Sequence, residues 1–174
     1  MNSVDYRHYI SEIPDFPKKG ILFCDICPLM LNPDIWRALL NELALFVDYV
    51  KPDIIAGIDA RGFIVGSAVA TYTSMGFVPI RKKGKLPGSI IGVDYQLEYG
   101  HDRLEIQKDS VNIGTRVLII DDLLATGGTA RTAGDLINKL NAIVVGYSFV
   151  VELDYLNGRN KLEDNIPIKS IVNY

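Results

Sequence analysis

The chain has 174 residues, 48% of them hydrophobic and 22% charged, with a formal net charge of −3. Such a composition describes one globular domain with room for a sizeable core. It excludes a protein whose main task is to coat nucleic acid, which needs a basic excess.

In chain order, "MNSVDYRHYISEIPDFPKKG" lacks the basic start and apolar run of a secretory leader, so a cytoplasmic protein is expected. A short helix is expected from Val4 to Glu12, stopped by Pro14 and Pro17. Cys24 and Cys27 stand at C-x-x-C spacing. Zinc would need four ligands, and His8 and His101 stand at no useful spacing from the pair. A redox pair would open a helix after a strand, whereas Pro28 follows at once, so two unpaired thiols are expected.

Asn32-Pro33 reads as a helix cap followed by proline in the first turn. Ile35, Leu39, Leu43, Phe46 and Val50 then form a helical stripe that ends before Pro52. "DIIAGID" (53–59) reads as a strand, "GFIVGSAVATYT" as a helix and "FVPIRKK" as a strand. Gly62 to Ile80 carries no charge, but Ser67, Thr71, Thr73, Ser74, Gly76 and Pro79 interrupt it, so a membrane span is not expected. "VDYQLEYG" has the mixed polarity of a mobile hairpin or lid. "TRVLIID" reads as a strand, "GTARTAGDLINKL" as a helix and "AIVVGYSFVVEL" as a strand.

This alternation predicts an α/β fold with a mainly parallel twisted sheet flanked by helices. Ligands in such sheets bind beyond the carboxyl ends of strands, where "GIDARG" and "IIDDLLATGGT" both fall. Asp121 and Asp122 close a buried-looking strand, which costs free energy unless something positive or hydrogen-bonding receives them. Ala125 to Thr129 form a small loop entering a helix, and the first amides of that helix are free to hold a phosphate. Taken alone, Gly-Gly-Thr equally suits an ordinary turn. The acid pair favours a ligand, because carboxylates beside a phosphate loop must face another part of it. A sugar diol, or a magnesium held by the ligand's own oxygens, would suit them.

"VLIIDDLLATGGT" resembles the phosphoribosyl-pyrophosphate motif of the type I phosphoribosyltransferases. "FPKKGILFCDICPL", "GIDARGF", "RKKGKLPG", "YQLEYGHDRLEIQKD" and "VVELDYLNGRNKL" extend the likeness to the adenine-specific members, from about Phe16 to Leu162. The resemblance implies a single domain over residues 1–174, with a small N-terminal hood over about 1–30 and a flexible lid over about 83–106. It implies transfer of the phosphoribosyl group to adenine, giving AMP and pyrophosphate. Asp121 and Asp122 would bind the ribose hydroxyls, and Ala125, Thr126, Gly127, Gly128 and Thr129 the 5′-phosphate. Asp59, Ala60 and Arg61, with a cis peptide after Asp59, would meet pyrophosphate, joined by Arg81, Lys82 and Lys85.

By the same resemblance, Glu98 would be the catalytic carboxylate handling a proton of the base, and Tyr99 a lid aromatic. Leu22, Phe23, Cys24 and Leu123 would form the adenine site, with cysteine at 24 where arginine is common in the family. Magnesium would be held mainly by phosphoribosyl pyrophosphate, and the protein would be a homodimer with no nucleic-acid or membrane partner. Two alternatives stay open: a sister enzyme for xanthine, guanine or orotate, and a non-catalytic regulator that binds phosphoribosyl pyrophosphate.

Overall fold

The computed structural model describes residues 4–97 and 100–174. The chain begins with a 3-10 turn, Tyr6–Tyr9, capped by the Asp5 carboxylate, which accepts from Arg7 N. Strands β1 (Ser11–Pro14) and β2 (Leu22–Asp25) then pair antiparallel, followed by the short helix α1 (Cys27–Leu31). The helix expected over Val4–Glu12 is therefore reduced to one turn, because pairing with β2 claims the residues from Ser11 onward.

Helix α2 (Pro33–Val50) starts as its sequence dictates: the Asn32 side chain accepts from Asp34 N and Ile35 N at 3.1 and 3.3 Å. It stops at Lys51, in the left-handed region at φ 49°, before Pro52. Arg116 closes the exposed end by donating to Val50 O and Lys51 O at 2.7 and 2.9 Å. The chain continues through β3 (Ile54–Ile58), α3 (Arg61–Tyr72), β4 (Gly76–Lys82), β5 (Ile90–Leu97) and β6 (Gly100–Gln107). It ends with β7 (Arg116–Leu124), α4 (Gly128–Lys139), β8 (Ile143–Glu152) and β9 (Ile168–Asn173).

The seven-stranded sheet has the order β5-β6-β4-β3-β7-β8-β9. Strands β4, β3, β7, β8 and β9 are parallel neighbours, and the β5–β6 hairpin extends the sheet antiparallel at the β4 edge. Alternation along β7 divides the core. Leu118 and Ile120 join Leu39, Leu43, Val65 and Val69 from α2 and α3 on one face. Val117 and Ile119 join Ala133, Leu136 and Ile137 from α4 on the other. Each fully buried aliphatic side chain contributes about 1.5–3 kcal/mol on this count. The first cluster also takes in Tyr6, Ile10, Cys24, Ile26 and Leu29, which anchors the N-terminal segment to that face.

The uncharged run from Gly62 to Ile80 is α3 and β4, and among the described residues no helix is long and apolar enough to cross a membrane. Beyond the unforeseen β1–β2 pair, two strand assignments in the main sheet differ from the sequence reading. β7 does not stop at the first acid: it stays in register with β8 through Leu124, so both carboxylates stand within a strand. β9 is an additional edge strand, whose polar Lys169 and Ser170 hide its pairing with β8.

Glu152, at the end of β8, is 3% exposed. Its carboxylate accepts from Arg159 Nε and Nη2, each at 2.6 Å, and from the Ser170 hydroxyl. Burial alone would raise its pKa, but the hydrogen bonds from Arg159 and Ser170 outweigh burial and hold the carboxyl below its ordinary value. The stability this adds is present above the ordinary glutamate pKa and lost as pH falls through the lowered one. Thermal unfolding from pH 7 to pH 3 is expected to show Glu152→Gln less stable at neutral pH, with a shallower acid decline than wild type.

Candidate active site

At the end of β3 the chain turns through Asp59-Ala60-Arg61, with a cis peptide between Asp59 and Ala60. Asp59 N donates to Ile80 O at 2.9 Å, which ties the turn to β4. Helix α3 starts at Arg61 and lies directly on β7. A Cβ at Gly62 would stand 2.7 Å from Asp121 Oδ1 and 2.9 Å from Ile120 O, so glycine is what permits this approach. The "DARG" and "DDLL" segments therefore form facing walls of one cleft.

That cleft is a cavity of about 500 Å³. Asp59, Ala60, Arg61 and Lys82 line one side, and Asp121 through Thr129 the other. Every residue expected to hold ribose or the 5′-phosphate is on its wall. A second cavity of about 670 Å³ adjoins it and shares Leu123, Ala125, Thr126, Gly128 and Thr129. Its apolar wall includes Leu22, Phe23 and Leu123, with Pro17, Leu153 and Leu156. A charged chamber and an apolar one thus meet at a single loop, which suits a ligand with a phosphorylated sugar at one end and a planar base at the other.

In the charged chamber, each cation has a carboxylate partner. Arg61 Nε stands 2.5 Å from Asp122 Oδ2, without the alignment of a hydrogen bond. Arg81 Nε and Lys85 Nζ stand 3.3 and 3.5 Å from Asp59 Oδ2. Lys82 Nζ stands 3.5 Å from Asp102 Oδ2. Arg81 and Lys85 therefore approach the cavity through Asp59, and Lys82 lines it directly. The two lysines are half exposed, and such pairs are weak enough to be exchanged for a phosphate.

Asp122 is 6% exposed. Asp122 N donates to Asp121 Oδ1 at 2.9 Å. Burial first, and then the charge of Asp122, push the Asp121 carboxyl well above the usual carboxylate range. The guanidinium carbon of Arg61 also lies 4.6 Å from the Phe23 ring centroid, which joins the acid pair to the apolar chamber.

The loop between β7 and α4 is shaped by Gly127, at φ +79°, which caps α4 without a side chain. Its Cα lies against the Gly158 carbonyl, leaving no space for a Cβ. Arg131 N donates to Gly127 O, and the first helical amides remain available for a phosphate.

The Cys24 side chain faces the core, so what this position can offer a ligand is its backbone. Cys24 is 1% exposed, lines neither cavity and belongs to the core cluster, and burial raises its thiol pKa. The reason is the core's claim on this position of β2: the thiol packs inward while Leu22 and Phe23 border the apolar chamber. Both thiols are free, with Cys27 exposed. Glu98 and Tyr99 lie outside the described residues.

The structure adds Tyr95 and Asp102 from the hairpin to the charged chamber, and Leu153, Tyr155, Leu156 and Lys161 to the apolar one. Tyr95 Oη donates to Asp102 Oδ2 at 3.3 Å. Neither group was legible beforehand, since only the folding of the hairpin and of the segment after β8 brings them to the loop.

The model of the phosphoribosyl transferase domain matches residues 36–172. An adenine phosphoribosyltransferase of Prochlorococcus marinus (strain MIT 9313) is 54% identical over 171 residues, covering 98% of this chain and 99% of the relative. The crystal structure of the adenine phosphoribosyltransferase of Thermoanaerobacter pseudethanolicus superposes with a TM-score of 0.94 at 45% identity, covering 98% of each chain. That of Saccharomyces cerevisiae, complexed with an imino-altritol bisphosphate and adenine, gives 0.91 at 41% identity over 96% of each chain. A cleft built on the acid pair and the glycine loop, and likenesses that run the length of the chain, lead to one assignment: the chain belongs to the phosphoribosyltransferase family, in the branch of the adenine phosphoribosyltransferases.

Proposed function

We propose that this protein is an adenine phosphoribosyltransferase, joining adenine to the ribose of phosphoribosyl pyrophosphate to give AMP and pyrophosphate in purine salvage. The observation that carries this is the pair of chambers meeting at Ala125–Thr129, one charged and one apolar. Relatives at about half identity bear that activity as their name, and the yeast enzyme is complexed with adenine and an imino-altritol bisphosphate.

In this reading the 5′-phosphate rests on the loop amides and the α4 N-terminus, and the ribose hydroxyls donate to Asp121 and Asp122. The base lies by Phe23 and Leu123, its N9 facing the sugar. As the bond from C1 to the pyrophosphate oxygen breaks, its electron pair leaves with pyrophosphate and the N9 lone pair forms the new bond. Arg61, Lys82, Arg81 and Lys85 receive the developing charge, each exchanging a carboxylate for a leaving-group oxygen. Positive charge growing on the sugar lies beside the acid pair. Glu98 is assigned the proton of the base, so Glu98→Gln is expected to lower kcat about a hundredfold while phosphoribosyl pyrophosphate still binds.

Magnesium belongs to the same proposal. Among the described residues no cluster of three or more His, Cys, Asp or Glu side chains could hold a metal ion, and Asp122 already faces Arg61. The site fits a cation that arrives mainly on the substrate's oxygens, with Asp121 and Asp122 as its acidic neighbours. When bound, it would offset pyrophosphate charge. A homodimer in the cytoplasm completes the reading.

The test is incubation with magnesium, phosphoribosyl pyrophosphate and each of adenine, hypoxanthine, guanine, xanthine and orotate. AMP from adenine alone is expected. A nucleotide from another base instead would replace adenine as the acceptor. No nucleotide from any base, with phosphoribosyl pyrophosphate bound, would make the protein a binder and not an enzyme.

A further inference from the structure

The segment from Leu153 to Leu162 runs behind both chambers. It forms two 3-10 turns, Asp154–Leu156 and Gly158–Lys161, joined by Asn157 at φ 51°. Toward the apolar chamber it presents Leu153, Tyr155, Leu156 and Lys161. Toward the charged one it presents backbone: the Gly158 carbonyl fills the space a Cβ on Gly127 would need, and Ala125 O does the same to Gly158. One short segment thus touches the base wall and the phosphate cradle together.

Leu153 and Leu162 anchor its two ends in the core, at 3% and 6% exposed, but between them Tyr155 and Leu156 are exposed at 58% and 36%. Between those anchors, the side chain that ties the turn to the sheet is Arg159. The guanidinium meets both oxygens of the buried Glu152 at 2.6 Å, and Ser170 from β9 closes the same carboxylate. A bidentate fork sets orientation as well as distance, so the turn carrying Gly158 is registered to the sheet.

We propose that Arg159, locked onto Glu152, is a positioning residue that sets the base wall and the 5′-phosphate loop relative to each other through Gly158. This rests on the adenine phosphoribosyltransferase reading. The pyrophosphate end is built separately, from the β3–α3 turn and β4, and does not depend on this brace. Loosening Arg159 therefore weakens ligands that span base and 5′-phosphate and spares pyrophosphate.

The experiment compares Arg159→Met, Arg159→Lys and wild type in the full chain. Calorimetric titrations with AMP and with magnesium pyrophosphate are read beside KM for adenine, kcat and Tm. Arg159→Met is expected to raise the AMP Kd and the adenine KM about tenfold, and Arg159→Lys about threefold, with pyrophosphate affinity unchanged. A folded Arg159→Met that binds AMP as wild type does would overturn the proposal. So would parallel weakening of AMP and pyrophosphate, which a merely structural role would produce.

If Arg159→Met does not fold, Arg159→Lys and Gly158→Ala carry the same comparison. Weakened AMP binding with unchanged pyrophosphate affinity is the expected result, and wild-type AMP binding in both would overturn the proposal. If wild type makes no AMP, the functional reading fails. Titration of ribose 5-phosphate into the same variants then decides the positioning role, with weakening in the variants supporting it and unchanged affinity overturning it.

Discussion

Asp121→Asn is expected to melt at a higher temperature than wild type while losing about a hundredfold of kcat/KM for phosphoribosyl pyrophosphate. Both effects have one source. Burial and the charge of Asp122 push the Asp121 carboxyl well above its usual range, so ionising it in the folded chain is unfavourable. A raised folded-state value means that wild-type stability is greatest below the ordinary aspartate pKa and declines as pH rises towards the raised one. Asparagine keeps the shape and cannot ionise. Its advantage in Tm should therefore be absent near pH 3, grow with rising pH and then level off.

The activity moves the other way. Asparagine puts an N–H donor where a ribose hydroxyl needs an acceptor, and leaving a polar group unpaired costs about 1–3 kcal/mol; each 1.4 kcal/mol is tenfold, which sets the expected loss for the ribose contact. Thermal melts from pH 3 to 8 beside steady-state kinetics check both halves. A variant that melts lower and keeps full activity would mean that Asp121 serves the fold and not the sugar.

Gly127→Ala is the second large effect, and here stability and activity fall together. Gly127 sits at φ +79°, where a side chain costs roughly 1–2 kcal/mol, and its Cβ would collide with the Gly158 carbonyl. The collision is with backbone, so no rotamer relieves it and the loop itself must move. Loss of about 2–3 kcal/mol of stability and a hundredfold or greater fall in kcat/KM for phosphoribosyl pyrophosphate are expected. Gly128 is the contrast: nothing stands within 4 Å of its Cβ position, so Gly128→Ala should keep the wild-type Tm. Chemical denaturation of the pair, with ribose 5-phosphate binding as the site readout, separates strain from the loss of an open surface. Equal stability of the two variants would refute the collision.

Much of this molecule was readable before it folded, because the relevant forces are local. Asn32 and the stripe from Ile35 to Val50 specify α2 through capping and periodicity. The runs at 54–58, 117–120 and 143–151 are apolar enough to be strands covered on both faces. Asp121-Asp122 before a glycine loop marked the ligand cleft, since two carboxylates at a strand end need a counterpart. The helix expected at Val4–Glu12 and the missed strand β9 failed for the opposite reason: pairing with partners outside the segment itself, β2 and β8, decides both.

The site divides along the same line. Sequence alone singled out the acid pair and the glycine loop entering a helix, because their chemistry calls for a ligand. The expected roles for base and pyrophosphate came from the resemblance of whole segments to the family. Only the tertiary structure decided which residues meet. It turned Cys24 into the core, brought Tyr95 and Asp102 to the charged chamber, and set Gly158 against Gly127. It also gave Arg61, Arg81, Lys82 and Lys85 each a carboxylate. Such contacts join segments tens of residues apart, and their geometry comes from sheet order and helix packing, which no local pattern of residues encodes.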